Sequence, residues 1–85
     1  MKILTKQIDE YRSDLSDKIV PEFIVYLIND LGDRIKAKMC LGEDSKQNIV
    51  TDFITTIVMN DKLNGIESKI EFEDISFQDF KNSMN

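Results

Sequence analysis

The chain has 85 residues, of which 41% are hydrophobic and 32% charged, and its formal net charge is −5. A chain of this length makes one small globular domain, here residues 1–85, with a correspondingly small core. It contains no histidine, the commonest general base and zinc ligand, and its three glycines are too scattered for a phosphate-binding loop. We therefore expect no enzyme, and no metal or cofactor.

Charge and hydropathy also indicate where the protein acts. Clustered Lys and Arg, which nucleic-acid binding requires, are absent, so we expect no direct nucleic-acid binding. No apolar run reaches the roughly 20 residues that span a bilayer, and the N-terminus lacks the apolar block of a signal peptide. Cys40 is the only cysteine and cannot form an intrachain disulfide. These features predict a cytoplasmic protein without a membrane span, and Cys40 as a small buried residue at a helix end.

The first segment has apolar residues at the spacing of one helical face. Leu4, Ile8, Tyr11, Leu15 and Ile19 are three or four residues apart. This spacing predicts a helix from about residue 3 to 18, with the stripe facing the core or a partner helix.

A second helix is predicted after Pro21, whose fixed φ suits a first helical turn. The apolar residues that follow keep helical spacing, and Lys36 and Lys38 suit a helix C-terminus, with Gly42 closing it. Gly32 inside this helix indicates a close helix crossing or a kink.

A third helix is predicted from the apolar pairs that recur every four residues from Ile49 to Val58, extended by Met59 and Leu63. Asp44 or Ser45 would cap its start, and Asn64 or Gly65 would lie in its terminating turn. Its β-branched residues also suit a strand, but its length favours a helix at the centre of the core.

Residues 66–85 form an acidic C-terminal segment whose structure the pattern leaves open. Ile70 and Phe72 alternate with charged residues as in a strand, which would pair across a dimer or lie extended over the helices. A short fourth helix is the alternative, because Ser76 resembles a cap and Phe77, Phe80 and Met84 would share one face. The predicted fold class is therefore all-α: three helices followed by an extended segment or a short helix.

Candidate binding residues lie in this acidic segment. Residues 60–71 have glycine at the sixth position and glutamate at the twelfth, as in a calcium loop, but Lys62 stands where a ligand is needed. The remaining candidates for a surface that docks a basic partner are four acidic residues: Glu71, Glu73, Asp74 and Asp79.

One longer stretch resembles a known family. Residues 6–44, "KQIDEYRSDLSDKIVPEFIVYLINDLGDRIKAKMCLGED", resemble the cytoplasmic antiholins, the lysis-inhibition accessory proteins of T-even phages. The resemblance implies a regulator in the host cytoplasm that binds the cytoplasmic segment of a holin and delays lysis. It contains no motif from which binding residues can be carried over.

Two functions follow from the sequence. The first is a non-enzymatic regulator that binds another protein, as the resemblance implies. The alternative is an acidic decoy that inhibits a host nucleic-acid-binding or defence enzyme by occupying its nucleic-acid groove. Because the core is small, we also expect that pairing into a homodimer would stabilise the chain.

Overall fold

The computed structural model describes residues 1–12, 14–15 and 17–83. Its elements in chain order are β1 (Lys2–Arg12), β2 (Ile19–Ile28), β3 (Arg34–Leu41), α1 (Glu43–Leu63), β4 (Glu71–Ile75) and α2 (Phe77–Ser83). The strands form one sheet in the order β3-β2-β1-β4. Neighbours in the β1–β2–β3 meander are antiparallel, and β4 runs parallel to β1. The fold is mixed α/β, and the all-α prediction is wrong.

The predicted first helix is the strand β1. Ile3 is buried on one face of the sheet and Leu4 on the other, because both faces of β1 are covered. Burial on both faces removes the alternation of apolar and polar residues that identifies a half-exposed strand. The residues that suggested a helical stripe are not buried together: Leu15 is 98% exposed and Ile19 is 55% exposed.

The predicted second helix is the hairpin of β2 and β3. The unbroken apolar run at residues 23–28 lies in β2, with its odd-numbered residues buried and its even-numbered residues half-buried. Gly32 lies in the turn at φ +85°, and its N–H donates to the Asn29 carbonyl over 3.0 Å. The Asn29 side-chain oxygen accepts the N–H groups of Leu31 and Asp33 at 3.0 and 2.9 Å. Gly32 therefore permits a hairpin turn, and the helix crossing or kink is wrong.

The third predicted helix is present as α1. Phe53 and Ile57 are buried in the core, 2% and 4% exposed, whereas Met59 and Leu63 are exposed and do not extend the buried face. The helix starts after Gly42 without a side-chain cap, so the predicted cap at Asp44 or Ser45 is wrong. Asn64 follows the last turn, as predicted.

The C-terminal segment contains both a strand and a short helix. β4 pairs in parallel with β1 of the same chain, with Ile3 opposite Phe72, so it has a partner strand within the chain and does not lie extended over helices. The cap at Ser76 is present, because the Asp79 N–H donates to Ser76 Oγ over 3.2 Å at the start of α2. The predicted contribution of Met84 lies outside the described residues.

The two helices lie on opposite faces of the sheet. We call the α1 side the inner face: there Ile3, Val25 and Leu27 form the core with Phe53 and Ile57. We call the opposite side the outer face: there α2 contacts β1, and the Lys6 ammonium lies 5.6 Å from the centre of the Phe80 ring. α1 contacts β1, β2 and β3, and α2 contacts β1, so large parts of both faces remain open.

Replacing Phe53 by alanine tests this placement of the core. Because the ring is buried against the sheet, Phe53→Ala should lower the free energy of unfolding by about 3–5 kcal/mol. The control is Val58→Ala on the same helix, at a side chain that is 42% exposed, which should change it by only about 0.5 kcal/mol. Urea denaturation followed by circular dichroism measures both, and equal effects would show that the helix packs through another face.

Candidate functional site

An open apolar surface lies on the outer face of β2 and β3. The strand register pairs Ile24 with Met39, Tyr26 with Ala37 and Glu22 with Leu41. These residues alternate with the buried inner-face residues of β2, so they all lie on the outer face. We call Ile24, Tyr26, Ala37, Met39 and Leu41 the outer-face patch.

The outer-face patch is open to solvent at the edge of the sheet. Met39 is 60% exposed and Leu41 is 54% exposed, and α2 packs mainly on β1. Grouped, exposed apolar side chains on a small protein mark a surface that another molecule covers. The patch is therefore the strongest candidate for a docking surface.

Two cations lie beside Tyr26 of the patch, and one of them, Arg34, is at the end near the β2–β3 turn. The Arg34 guanidinium stacks 4.4 Å from the centre of the Tyr26 ring, and the Lys6 ammonium lies 6.0 Å from the same ring. Arg34 reaches this face because a bulge between Leu27 and Ile28 shifts the register, so that Arg34 pairs with Ile28. A bound segment with a carboxylate at this end would be attracted.

The other end of the patch carries an acidic residue and a tyrosine. The Glu22 carboxylate lies within hydrogen-bonding reach of the Tyr11 hydroxyl, and with a smaller contribution from Asp9 it raises the pKa of Tyr11 to about 12. A second bulge, between Gln7 and Asp9, sets Asp9 opposite Glu22. The patch is therefore positive at one end and negative at the other, which would orient an extended ligand along it.

The four acidic residues predicted to bind a partner do not form one surface. Glu73 pairs with Lys2 and raises the pKa of that lysine, while Asp74 accepts the Thr5 hydroxyl. Glu71 and Glu73 lie on the outer face of β4, Asp74 lies on its inner face, and Asp79 lies on α2. The structure therefore divides them between two faces and two elements.

The inner face contains a groove between α1 and β4. It has a volume of about 440 Å³, and its apolar walls include Val50, Ile54 and Phe72. Phe72 is 59% exposed although it points to the helix side of the sheet. The inner face of β4 is thus only partly covered.

Metal-binding, buried polar and thiol groups give no comparable candidate for a functional site. Among the described residues no group of three or more Cys, Asp and Glu side chains is placed to hold a metal ion. Within the same part of the chain every buried side-chain nitrogen or oxygen has a hydrogen-bond partner. Cys40 is half-buried in β3 rather than at a helix end, and burial raises the pKa of its thiol. None of these groups is presented to a ligand as an activated side chain.

Sequence reasoning missed the outer-face patch because it assigned these residues to helices. A signal was present in β3, where Ile35, Ala37, Met39 and Leu41 alternate with Lys36 and Lys38. A period of two, kept here over residues 34–39, is typical of a strand with one apolar face. In the part of the chain that the structure describes, no helix is both long and apolar enough to cross a membrane.

The contact between Tyr11 and Glu22 gives a test of the geometry at the acidic end. The chain has two tyrosines, so Tyr26→Phe leaves Tyr11 as the only phenol that titrates. In that background the phenol should titrate near pH 12, and adding Glu22→Gln should move its pKa down toward the ordinary value of about 10. Ultraviolet titration measures the pKa, and a value unaffected by Glu22→Gln would contradict the contact.

Comparison with known proteins assigns no family to the chain: no family model matches it, no curated protein matches it, and no solved structure matches it. Its function has to be inferred from its own surfaces.

Proposed function

We propose that the protein is a non-enzymatic regulator that binds another protein through the outer-face patch. The observation that carries this proposal is the exposure of Met39, which pairs with Ile24 on an open sheet face, and of Leu41, the next outer-face residue along β3. Burying such side chains removes apolar area from water and contributes roughly 25 cal/mol per Å² to association before entropic costs. A few apolar anchors near the centre of a surface contribute most of an interface's affinity.

The partner that we propose is the cytoplasmic segment of a phage holin, and the protein would act in the host cytoplasm to delay lysis. This identity rests on the resemblance of residues 6–44 to the cytoplasmic antiholins. Part of that stretch forms β2 and β3, the strands that carry the outer-face patch. An amphipathic segment could place apolar side chains on Met39 and Leu41 and a carboxylate beside Arg34.

The acidic decoy is not favoured by a specific observation. Mimicry of a nucleic acid requires closely spaced carboxylates on one surface, and here Glu73 forms an ion pair with Lys2 while Asp74 lies on the opposite face of β4. The two functions also differ in salt dependence, because exposed charge pairs weaken as ionic strength rises whereas apolar contacts do not.

The proposal predicts that charged residues in the patch abolish binding without unfolding the chain. Met39→Asp combined with Leu41→Asp should weaken binding of a synthetic holin cytoplasmic peptide by about 100-fold, since each buried anchor contributes about 1–2 kcal/mol. Fluorescence anisotropy of the labelled peptide measures the affinity, and circular dichroism confirms that the variant is folded.

The matched control is Leu31→Asp, which adds a charge at a leucine that is 86% exposed in the β2–β3 turn. It should leave the affinity unchanged. Equal binding by the patch variant and the wild type would contradict the docking surface. Failure of the wild type to bind the peptide would contradict the holin as partner, and strong, salt-sensitive binding to a basic nuclease would favour the decoy instead.

A further inference from the structure

The sheet has two free edges. β3 and β4 are its outermost strands, and no described segment pairs with the outer side of either. An edge strand presents a row of unpaired N–H and C=O groups that can hydrogen-bond to another strand. Each edge is therefore able to accept one more strand.

The two edges carry opposite charges. β3 has three basic side chains, Arg34, Lys36 and Lys38, and no acidic one. β4 has three acidic side chains, Glu71, Glu73 and Asp74, and no basic one. Like charges directly opposite each other destabilise a strand pair and opposite charges stabilise it. Pairing of β3 with β3, or of β4 with β4, is thus disfavoured, whereas pairing of β3 with β4 is favoured.

The basic edge has no competing partner within the described residues. None of the ion pairs found there includes Arg34, Lys36 or Lys38. Lys36 instead lies 5.5 Å from the centre of the Phe53 ring, which places it on the inner face, and Lys38 shares that face through alternation. Both lysines belong to the outermost strand, beside which a further strand would be added.

The incomplete cover of the inner face by α1 also favours a neighbouring copy beside β4. A helix is about 10 Å wide and strands lie about 4.8 Å apart, so one helix covers roughly two strands. α1 contacts β1, β2 and β3, and Phe72 on β4 is left 59% exposed. A second copy that added its β3 beside β4 would bring its own α1 over the same face, next to Phe72.

We propose that the protein assembles head to tail, with β4 of one copy pairing in parallel with β3 of the next copy. Both strands run parallel to β1, so a continued sheet of copies with the same face inward joins them in parallel. The register that sets Asp74 beside Lys38 also sets Phe72 beside Lys36, so that a carboxylate meets one ammonium and an aromatic ring meets the other. An assembly of any length keeps one free β3 edge and one free β4 edge at its two ends, so it grows beyond a dimer.

This assembly does not depend on the proposed function. It uses the strand edges and inner-face side chains, whereas the partner segment is proposed to bind the outer-face patch. Lys36, Lys38, Glu71 and Asp74 are absent from that patch. Substitutions at the edges therefore test assembly separately from binding of the holin peptide.

The test is a pair of charge reversals studied alone and mixed. One variant carries Lys36→Glu and Lys38→Glu, which makes both edges acidic, and the other carries Glu71→Lys and Asp74→Lys, which makes both edges basic. Each alone should associate at least about tenfold more weakly than the wild type, because positions 74 and 38 then carry like charges and the two edges have net charges of the same sign. An equal mixture should associate more strongly than either variant alone, since each acidic edge of one variant can pair with a basic edge of the other.

Sedimentation velocity over a range of concentrations measures the association, and circular dichroism confirms that each variant is folded. The control for the first variant is Lys18→Glu with Lys62→Glu, and the control for the second is Asp14→Lys with Glu67→Lys. These change the net charge equally at exposed positions outside the strands, and both should assemble like the wild type.

Wild type that stays monomeric at high micromolar concentration would overturn the proposal, as would assembly that stops at a dimer. A mixture that associates no better than its separate components would also overturn it, because pairing of opposite edges predicts recovery. Loss of assembly in the control variants would show that net charge, rather than the edges, governs association.

Discussion

Most of the molecule's surface properties follow from a mismatch between the width of its sheet and the helices that cover it. Four strands form the sheet, and one long helix lies on the inner face across β1, β2 and β3. The second helix has seven residues and contacts β1 on the outer face. The core is consequently concentrated at β1, β2 and α1, where Ile3, Val25 and Phe53 are almost completely buried. β3 and β4 are supported mainly by backbone pairing to their inner neighbours.

The surfaces that the helices leave uncovered differ in polarity and charge. The outer-face patch on β2 and β3 is apolar. Two cations, Lys6 and Arg34, lie near Tyr26, and Tyr11 lies beside Glu22 at the opposite end. The two sheet edges are polar, and their charges have opposite signs. An apolar sheet face suits the docking of a partner segment, whereas complementary edges suit copies of the same chain. Regulation by occupancy and self-assembly could thus occur on separate surfaces of one small protein.

Sequence reasoning predicted α1 but not the sheet, and the reason is physical. Between residues 43 and 63 the apolar residues lie mainly on one face of the helix, so their spacing alone predicts a helix. In β1 and β2 neighbouring residues such as Ile3 and Leu4 are buried on opposite faces, which produces apolar runs that periodicity alone cannot separate from a buried helix. The parallel pairing of β4 with β1 joins residues about 70 positions apart in the chain, and no local pattern reports it. The sequence composition identified the acidic residues of β4 as candidate binding residues. It could not show that they lie on two faces of the sheet, because that depends on the pairing of β4 with β1.

Amide hydrogen exchange, resolved by residue with NMR at a concentration where the chain is monomeric, tests the central claim that the sheet has two free edges. Amides of β1 from Lys2 to Lys6 and of β2 from Glu22 to Ile28 should be protected throughout, because there each strand has partners on both sides. In β3 and β4, protected amides should alternate with unprotected ones, since only every second N–H points to the inner neighbour. Continuous protection across residues 21–41 with no alternation would indicate a helix there and contradict the account.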